Sequence, residues 1–328
     1  MKPRVLFVTQ TLGDKAACGI GLIGNLIGNT LITHKDYEFQ VLYTDGWSDV
    51  MAAYHSWQPN AIIYNYAPGT TPWMDQPHPR SEITVPQVRI MHDMYQALAD
   101  SYNPHNHYGW QYILADDPSV VGNDRVFITN RLLPPTTTHV YQDGDKPIIG
   151  FQGFGPPHKG IARLARKVQE EFDEAILRLH IPFGYYEDLI HGYAGSNANA
   201  RVQEVKSIIT KPGIEVQFSH ELMETDEVVD WLAHNTINCY FYDYLDGCGI
   251  ASSPDYALAA RRPIAMTKSH QFRNFWNVKP SIFIEDKSIR EIIAQGTAPL
   301  EKLYADYSAE SVLADYAAML QKLITKHG

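Results

Sequence analysis

The chain has 328 residues, of which 45% are hydrophobic and 20% are charged, and its formal net charge is −10 at pH 7. This length suits about two globular domains, no apolar run reaches the roughly 20 residues of a membrane helix, and the acidic balance argues against a broad nucleic-acid-binding face. Three cysteines without metal-ligand spacing, and the lack of a signal-peptide pattern, predict a cytoplasmic protein with reduced thiols.

Short apolar strands alternate with amphipathic helices in the first half of the chain. Strands are predicted over Arg4–Thr9, Phe39–Thr44, Ala61–Asn65, Val85–Met91, Tyr112–Ala115 and Val126–Ile128. A Gly-rich turn around Cys18-Gly-Ile-Gly21 leads into one helix, and Asp49–Trp57 is predicted to form another. The polar segment Pro68–Arg80 is predicted to be a loop. This alternation indicates a parallel sheet with helices on both faces.

A second series of strands and helices follows an interdomain connection rich in turn-forming residues, Leu132–Thr138 and Gln142–Pro147. Its strands are predicted over Ile148–Phe151, Ile176–Ile181, Glu215–Phe218 and Ile237–Tyr242. Its helices are predicted over Gly160–Phe172, Gln203–Ile209, Asp226–Ala233 and Pro254–Ala260, and the last helix over Ala309–Lys326. The pattern predicts an N-terminal domain at 1–141, a C-terminal domain at 142–308 and a terminal helix at 309–328.

Two motifs of the second half point to a phosphorylated ligand. The run Gly249–Ile264 reads as a Gly turn, a helix with Ser253 as N-cap and Pro254 as its first residue, and a strand after Pro263. Upstream, Gly153 and Gly160 flank Lys159 at the start of another helix. Helix N-termini present unpaired N–H groups and partial positive charge, which suit anions such as a diphosphate.

These motifs resemble the nucleotide-binding domain of GT-B retaining glycosyltransferases, especially glycosyltransferase family 4. The family's Gly-Arg-x-x-x-x-Lys-Gly turn is matched by Gly153, Lys159 and Gly160, while Phe154 stands in the place of the Arg. Its acidic-Gly-x-Gly turn is matched by Asp246-Gly-Cys-Gly249. Counting back from Pro263, the family's ribose-binding Glu falls on Tyr256, with Asp255 one residue earlier, and the two remain alternatives.

The N-terminal half resembles the same family at three points. Gly19 or Gly21 matches its Gly-rich turn, Val85–Asp93 matches a strand that ends in His-Asp, and Asn123–Asn130 matches the last strand before the linker. The resemblance implies a GT-B α/β fold, in which two Rossmann-like doubly wound domains face a cleft. It also implies a nucleotide-diphosphate sugar as donor substrate, retention of configuration, and no metal or other cofactor.

The resemblance implies a role for each candidate residue. His92 is the expected catalytic group, contacting the transferred sugar near the reacting centre. Lys159 supplies a cation for the departing diphosphate. The other expected donor-binding residues are Gly19, Gly21, Gly153, Asp246, Gly249, Ile250, Ser253 and Asp255. With Phe154 in place of Arg, a second cation could come from Arg261, Arg262 or His158.

Other readings of the same residues remain open. Gly19-Ile-Gly21-Leu-Ile-Gly24 satisfies the spacing of a NAD-binding fingerprint, and the alternative enzyme is therefore a Rossmann-type NAD-binding oxidoreductase. Against this alternative, no acidic residue closes the second strand until Asp45. The missing Arg supports a GT-B-like binding protein without catalysis. His105 and His107 lack a third metal ligand at useful spacing. The acceptor is unidentified; a saccharide is favoured over modified nucleic acid by the acidic charge.

Overall fold

The computed structural model describes residues 2–11, 19–106, 108–142, 144–183 and 196–327, so Cys18 and His107 lie outside the described residues. The chain divides into two compact units. The first unit comprises Met1–Leu132, Gly247–Gly249 and Asp306–Gly328, and the second unit comprises Leu133–Asp246 and Ile250–Ala305. The last helix of the chain therefore belongs to the first unit.

Strands occupy both units and are numbered here in chain order. The first unit contains β1 (Arg4–Thr9), β2 (Glu38–Tyr43), β3 (Ala61–Asn65), β4 (Gln87–Ile90), β5 (Tyr112–Ala115) and β6 (Val126–Ile128). The second unit contains β7 (Ile148–Gln152), β8 (Ala175–His180), β9 (Ile214–Ser219), β10 (Ile237–Tyr240) and β11 (Ile264–Met266).

The described helices are numbered in the same way. They are α1 (Gly19–Leu31), α2 (Trp47–Trp57), α3 (Pro77–Arg80), α4 (Gln96–Asp100), α5 (Ile161–Glu171), α6 (Ser196–Ile208), α7 (Thr225–Ala233), α8 (Ser253–Ala259), α9 (Ile289–Gln295), α10 (Glu301–Asp306) and α11 (Ala309–His327). Short 3-10 helices cover Pro72–Asp75, Pro104–Asn106, Pro157–Lys159, His270–Phe275 and Ala298–Leu300. None of the described helices has the length and apolar character that a membrane span needs.

The sheet of the first unit has the order β2-β1-β3-β4-β5-β6, and every neighbouring pair is parallel. Two apolar clusters contain alternate strand residues. One includes Leu6, Val8 and Tyr64, and the other includes Val5 and Phe7. Helix α11 adds Val312, Tyr316, Met319, Leu320 and Leu323 to the second cluster. The apolar stripe of α11 is thus part of the core of the first unit.

The sheet of the second unit has the order β11-β10-β7-β8-β9, again with parallel pairs. Strands β10 and β7 are neighbours, with Ile237 opposite Ile149. The buried residues of α7 and α8 pack together, and Tyr256 packs against them. Two doubly wound parallel sheets confirm the predicted α/β fold class.

Several local predictions need correction. The segment Pro68–Arg80 is not a simple loop, because it contains a 3-10 helix and α3. The predicted Gly turn is wrong at Gly19 and Gly21, which lie in the first turn of α1. Ser252, not Ser253, is the N-cap of α8, and Pro254 is its second residue. Strand β10 ends at Tyr240, two residues before the predicted end.

Candidate functional site

The strand order of each sheet identifies where a ligand crevice forms. In the second unit the chain runs from β7 outward through β8 to β9, then returns to β10 on the other side of β7. The loops after β7 and β10 therefore leave the sheet in opposite directions, which opens a crevice at the carboxyl ends of these strands. Gly153–Gly160 follows β7, so the predicted Lys motif lies at this switch point.

Two glycines let the loop after β7 approach its neighbours. Gly153 has φ +146°, and Gly160, the N-cap of α5, has φ +66°. These angles strain residues with a Cβ atom. A Cβ atom on Gly160 would also lie 1.8 Å from the carbonyl oxygen of Phe241. The backbone thus holds Lys159 beside the residues that follow β10.

Lys159 lies over an aromatic ring at this switch point. Its Nζ is 4.0 Å from the centroid of the Tyr242 ring, and Tyr242 is fully buried. The Tyr242 hydroxyl donates to Ser253 Oγ at 3.3 Å, and a Cβ atom on Gly153 would be 3.4 Å from the same Oγ. The structure therefore brings together three predicted donor-binding residues: Gly153, Lys159 and Ser253.

The charge of Lys159 has no carboxylate partner in the described part of the chain. The neighbouring cation Arg163, in the first turn of α5, instead pairs with Asp243. Burial lowers the pKa of His158, the charge of Lys159 lowers it further, and Asp243 opposes both effects. No side chain caps α5. Lys159 and the N-terminus of α5 together offer unneutralised positive charge to an anion.

Two of the three candidates for a second cation lie elsewhere. Arg262 donates to the carbonyl oxygens of Ala233 and Tyr141, at 2.6 and 2.7 Å. The Arg261 guanidinium is 3.7 Å from the Tyr304 ring. Both residues follow the C-terminal end of α8, roughly 10 Å along the helix from Ser253. His158 is the candidate that lies beside Lys159.

The start of α8 differs from its prediction. The helix spans only seven residues, and no side chain caps it, so its dipole is a weak anion site by itself. Asp255 lies in its first turn with 3% of its surface exposed, whereas Asp246 is exposed in the preceding loop. Tyr256 packs in the apolar cluster of α7 and α8. Of the two ribose-binding alternatives, Tyr256 already has a packing role.

The first unit carries a buried polar network at its own switch point, between β1 and β3. His92 follows β4, and its Nδ1 is 2.9 Å from Asp116 Oδ2, just after β5. Its Nε2 is 2.9 Å from Asn65 Oδ1, at the end of β3. Arg131 donates to Asp116 Oδ2 at 2.8 Å, and Asn65 donates to Thr9 Oγ1 at 3.1 Å. The sequence identified His92 and missed these four partners.

Both ring nitrogens of His92 have a polar partner in this network. Asn65 Nδ2 donates to the carbonyl oxygen of Ile20, which leaves Asn65 Oδ1 facing His92 Nε2. Burial would raise the pKa of Asp116, but His92 and Arg131 hold this pKa well below its usual range. Asp116 is therefore a carboxylate, and its Oδ2 accepts a hydrogen bond from His92 Nδ1. Both ring nitrogens of His92 are therefore occupied, and a direct contact with a sugar requires Nε2 to leave Asn65.

The glycines of the first unit are explained partly by close packing. A Cβ atom on Gly24 would lie 2.0 Å from Asn65 Nδ2, so this glycine lets α1 approach the network. Gly19 is exposed and Gly21 is buried in the same helix. Gly249 also groups with the first unit, where its Cβ position is 2.3 Å from the His92 carbonyl oxygen. Ile250, predicted beside it, is 8% exposed in the second unit.

Among the described residues, no three His, Cys, Asp or Glu side chains are grouped so that they could hold a metal ion. Cys239 is a buried free thiol. Gly24, the third glycine of the NAD-like fingerprint, has a packing explanation, because a Cβ atom at this position would clash with the Asn65 side chain.

Comparison with solved structures identifies the fold. No protein-family profile matches the chain, and no curated protein sequence matches it. The structure resembles a glycosyltransferase from Rickettsia africae ESF-5 (TM-score 0.65, 9% identity, 100% of both chains). It also resembles HepE from Anabaena in complex with UDP and glucose (0.63, 10%, 98% of this chain and 100% of that one). A third similar structure is sucrose-phosphate synthase from Thermosynechococcus elongatus (0.66, 11%, 99% and 100%).

These likenesses extend over nearly all of the chain and of each compared chain. At 9–11% identity they establish the fold and not the activity. The chain therefore has the GT-B glycosyltransferase fold, as the sequence motifs predicted.

Proposed function

We propose that this protein is a retaining glycosyltransferase that moves a sugar from a nucleotide-diphosphate sugar to a hydroxyl acceptor. The observation that carries this proposal is the position of Lys159 at the switch point of the second sheet, beside Gly153 and Gly160. This cation has no carboxylate partner among the residues that the structure describes. The complex of Anabaena HepE with UDP and glucose supports a nucleotide-sugar donor for this fold.

In the proposed reaction, the bond between the anomeric carbon and the diphosphate oxygen breaks on the same face on which the acceptor oxygen attacks. The departing phosphate oxygen takes the acceptor's proton. Negative charge grows on the diphosphate, so a fixed cation and the N-terminus of α5 stabilise the transition state more than the ground state. Lys159 supplies that cation, and Tyr242 holds its ammonium in place.

The remaining predicted assignments stay part of this proposal. Asp255 is proposed to bind the ribose, because a carboxylate can accept two hydroxyl hydrogen bonds. His92 is proposed to act near the transferred sugar, and no metal or other cofactor is proposed to take part. A saccharide acceptor is favoured by the net charge of −10, which opposes polyanions.

A thermal-shift screen of nucleotide sugars tests the proposal. UDP, UDP-glucose and other nucleotide-diphosphate sugars are compared with NAD at equal concentrations. A ligand at about one hundred times its Kd adds about 2.7 kcal/mol to the free energy of unfolding. Stabilisation by a nucleotide sugar and not by NAD supports the proposal, and the reverse result favours an oxidoreductase.

A second candidate function, nucleotide-sugar binding without catalysis, is favoured by Phe154, which stands where the related motif has Arg. The two functions separate in an assay of donor hydrolysis and of transfer to a panel of saccharides. Binding of the donor without any sugar release or transfer would favour the binding protein.

A further inference from the structure

The first unit contains a second cationic cluster, which the proposed function does not use. Arg80 and Arg89 are 5% and 6% exposed. The Arg80 guanidinium lies 4.3 Å from the Trp110 ring, and that of Arg89 lies 3.5 Å from the Tyr66 ring. Both arginines are therefore withdrawn from water and stacked on aromatic faces.

The charges of this cluster do not balance within the described part of the chain. Asp75 is the acid that interacts with both arginines; its Oδ1 is 3.4 Å from Arg89 Nη1, and its other oxygen accepts from the Tyr66 hydroxyl. Burial raises the pKa of Tyr102 to about 12, so this neighbour is neutral at pH 7. Two buried cations thus face one carboxylate. A buried charge without a partner is costly, so such a cluster favours an added anion.

Hydrogen-bond donors are also left over. Within the described residues, Arg89 Nε and Trp110 Nε1 are buried and have no hydrogen-bond partner. Both atoms can only donate, so what they lack is an acceptor. Arg80 Nη1 donates one hydrogen bond, to the carbonyl oxygen of Met74 at 3.1 Å. The unmet needs are therefore for negative charge and for acceptor oxygens.

We propose that Arg80 and Arg89 bind the oxyanion group, carboxylate or phosphate, of a small sugar-like molecule. Arginine presents a planar pair of donors that matches two oxygens of such a group. The cluster reaches the surface at the Asp75 side chain, which is 18% exposed, and near Tyr108, which is 61% exposed.

The position of the cluster suggests which substrate would carry the anion. Tyr66 directly follows Asn65 at the carboxyl end of β3, and Arg89 lies three residues before His92. The cluster therefore lies near the carboxyl ends of β3 and β4, where the His92 network also lies. Resting on the proposed function, the anion belongs to the acceptor, because the donor diphosphate is assigned to Lys159 in the second unit.

Calorimetry with inorganic phosphate tests the site in the full chain. Arg89→Gln should raise the Kd for phosphate at least about tenfold, the usual effect of losing a charge-assisted hydrogen bond. Arg4→Gln is the matched control, since Arg4 also lies near a Trp ring but at the amino end of β1. Its Kd should equal that of the wild type.

Asp75→Asn keeps the test decisive if Arg89→Gln does not fold. Asp75 competes with the added anion for Arg89, so its neutralisation should tighten phosphate binding severalfold. A cluster that is only structural would lose stability in Asp75→Asn without gaining phosphate affinity, and that result would overturn the proposal. Failure of the wild-type protein to bind phosphate would overturn it as well.

Two further arms separate this site from the donor site and from a free ion. Phosphate binding lost in Lys159→Ala and retained in Arg89→Gln would place the anion at the donor site, against the proposal. Hexose phosphates or hexuronic acids should bind more tightly than inorganic phosphate and than the parent hexose. If these sugar acids bound no more tightly than inorganic phosphate, the proposal that the anion is part of a sugar would be contradicted. Nucleotide-sugar binding that persists in Arg89→Gln keeps the two proposals independent, since either can then fail alone.

Discussion

His92 is held at both ring nitrogens, by Asp116 and by Asn65, each at 2.9 Å. Its removal would leave Asp116 Oδ2 with its hydrogen bond from Arg131 and would open space beside Asn65. Because leaving a buried polar group without a hydrogen-bond partner typically costs about 1–3 kcal/mol, the substitution affects stability as well as chemistry. A test of His92 must therefore separate these two effects.

We predict that His92→Ala lowers kcat far more than it weakens donor binding. The donor diphosphate is proposed to bind the second unit, and His92 is proposed to act on the transferred sugar, so its loss should affect the transition state more than donor binding. Steady-state kinetics and donor calorimetry measure the two quantities, and His55→Ala, at an exposed position on α2, is the control. Full activity in a folded His92→Ala protein would assign His92 to structure alone.

His180 should make the second unit sensitive to acid. Burial, and then the charges of His220 and Arg178, lower its pKa from 6.5 to about 4. Between these values the unfolded chain binds more protons than the folded chain, so the free energy of unfolding falls as the pH falls. The loss should total about 3 kcal/mol by pH 4.

Hydrogen exchange in β8, measured from pH 7 to pH 4, tests this dependence after correction for intrinsic exchange rates. His180→Asn should flatten the profile, because the titrating group is gone and a polar atom remains near Ser219. His78→Asn, whose side chain is 79% exposed, should leave it unchanged. An equal slope in wild type and His180→Asn would refute the assignment.

At the scale of elements, helix α11 ties the end of the chain to the first unit. Asp315 Oδ2 accepts from the Asn130 backbone N–H at 2.9 Å, and the helix buries Tyr316, Leu320 and Leu323 against β1 and β3 residues. The polar contact fixes the residues just after β6, next to Arg131. Helix α11 therefore helps to position Arg131, which donates to Asp116 in the His92 network.

We predict that Asp315→Ala lowers the free energy of unfolding of the first unit by about 1–3 kcal/mol, since it leaves the Asn130 N–H without its acceptor. Chemical denaturation monitored by hydrogen exchange in β5 and β6 measures this loss. Gln321→Ala, at an exposed position on the same helix, should change it by less than about 0.5 kcal/mol. Equal effects of both substitutions would contradict the specific role of Asp315.

The predicted limits of β1, β3, β5 and β6 match the structure to the residue. Three of these strands, β1, β3 and β5, are short apolar runs in which nearly every residue is buried. The limit of β10 was missed because Phe241 and Tyr242 remain buried in the loop that follows it. The helices in Pro68–Arg80 were missed because the burial of Arg80 depends on Trp110, a contact that no local pattern records.

The same distinction applies to the candidate site. The loop motif of Gly153, Lys159 and Gly160 could be predicted from the sequence, because its residues are close together along the chain. The partners of His92 are 24 and 27 residues away, and only the order of strands β3, β4 and β5 brings them together. A polar residue directly after each parallel strand, as with Asp116 after β5, is the signal that could have found them.

At the scale of the whole molecule, the GT-B fold persists at 9–11% identity to the compared structures. Parallel sheets buried on both faces require apolar residues of suitable size and not particular sequences. A common fold without sequence similarity is therefore expected, and activity must be tested at the site.

We predict that transfer survives EDTA and retains the anomeric configuration of the donor. Lys159 and the N-terminus of α5 can balance the charge of the leaving group without an ion. Proton NMR of the first-formed product, recorded with and without EDTA, measures both properties. Inversion would contradict the retaining assignment, and loss of transfer in EDTA would contradict the metal-free one.

The central claim is that Lys159 binds the donor diphosphate, and calorimetry of UDP binding to Lys159→Ala tests it most directly. The Kd should rise by about 10- to 150-fold, equivalent to about 1.5–3 kcal/mol for a charge-assisted contact. Lys146→Ala is the control, because Lys146 precedes β7 whereas Lys159 follows it. An unchanged Kd in folded Lys159→Ala, or an equal loss in both variants, would contradict this account of the site.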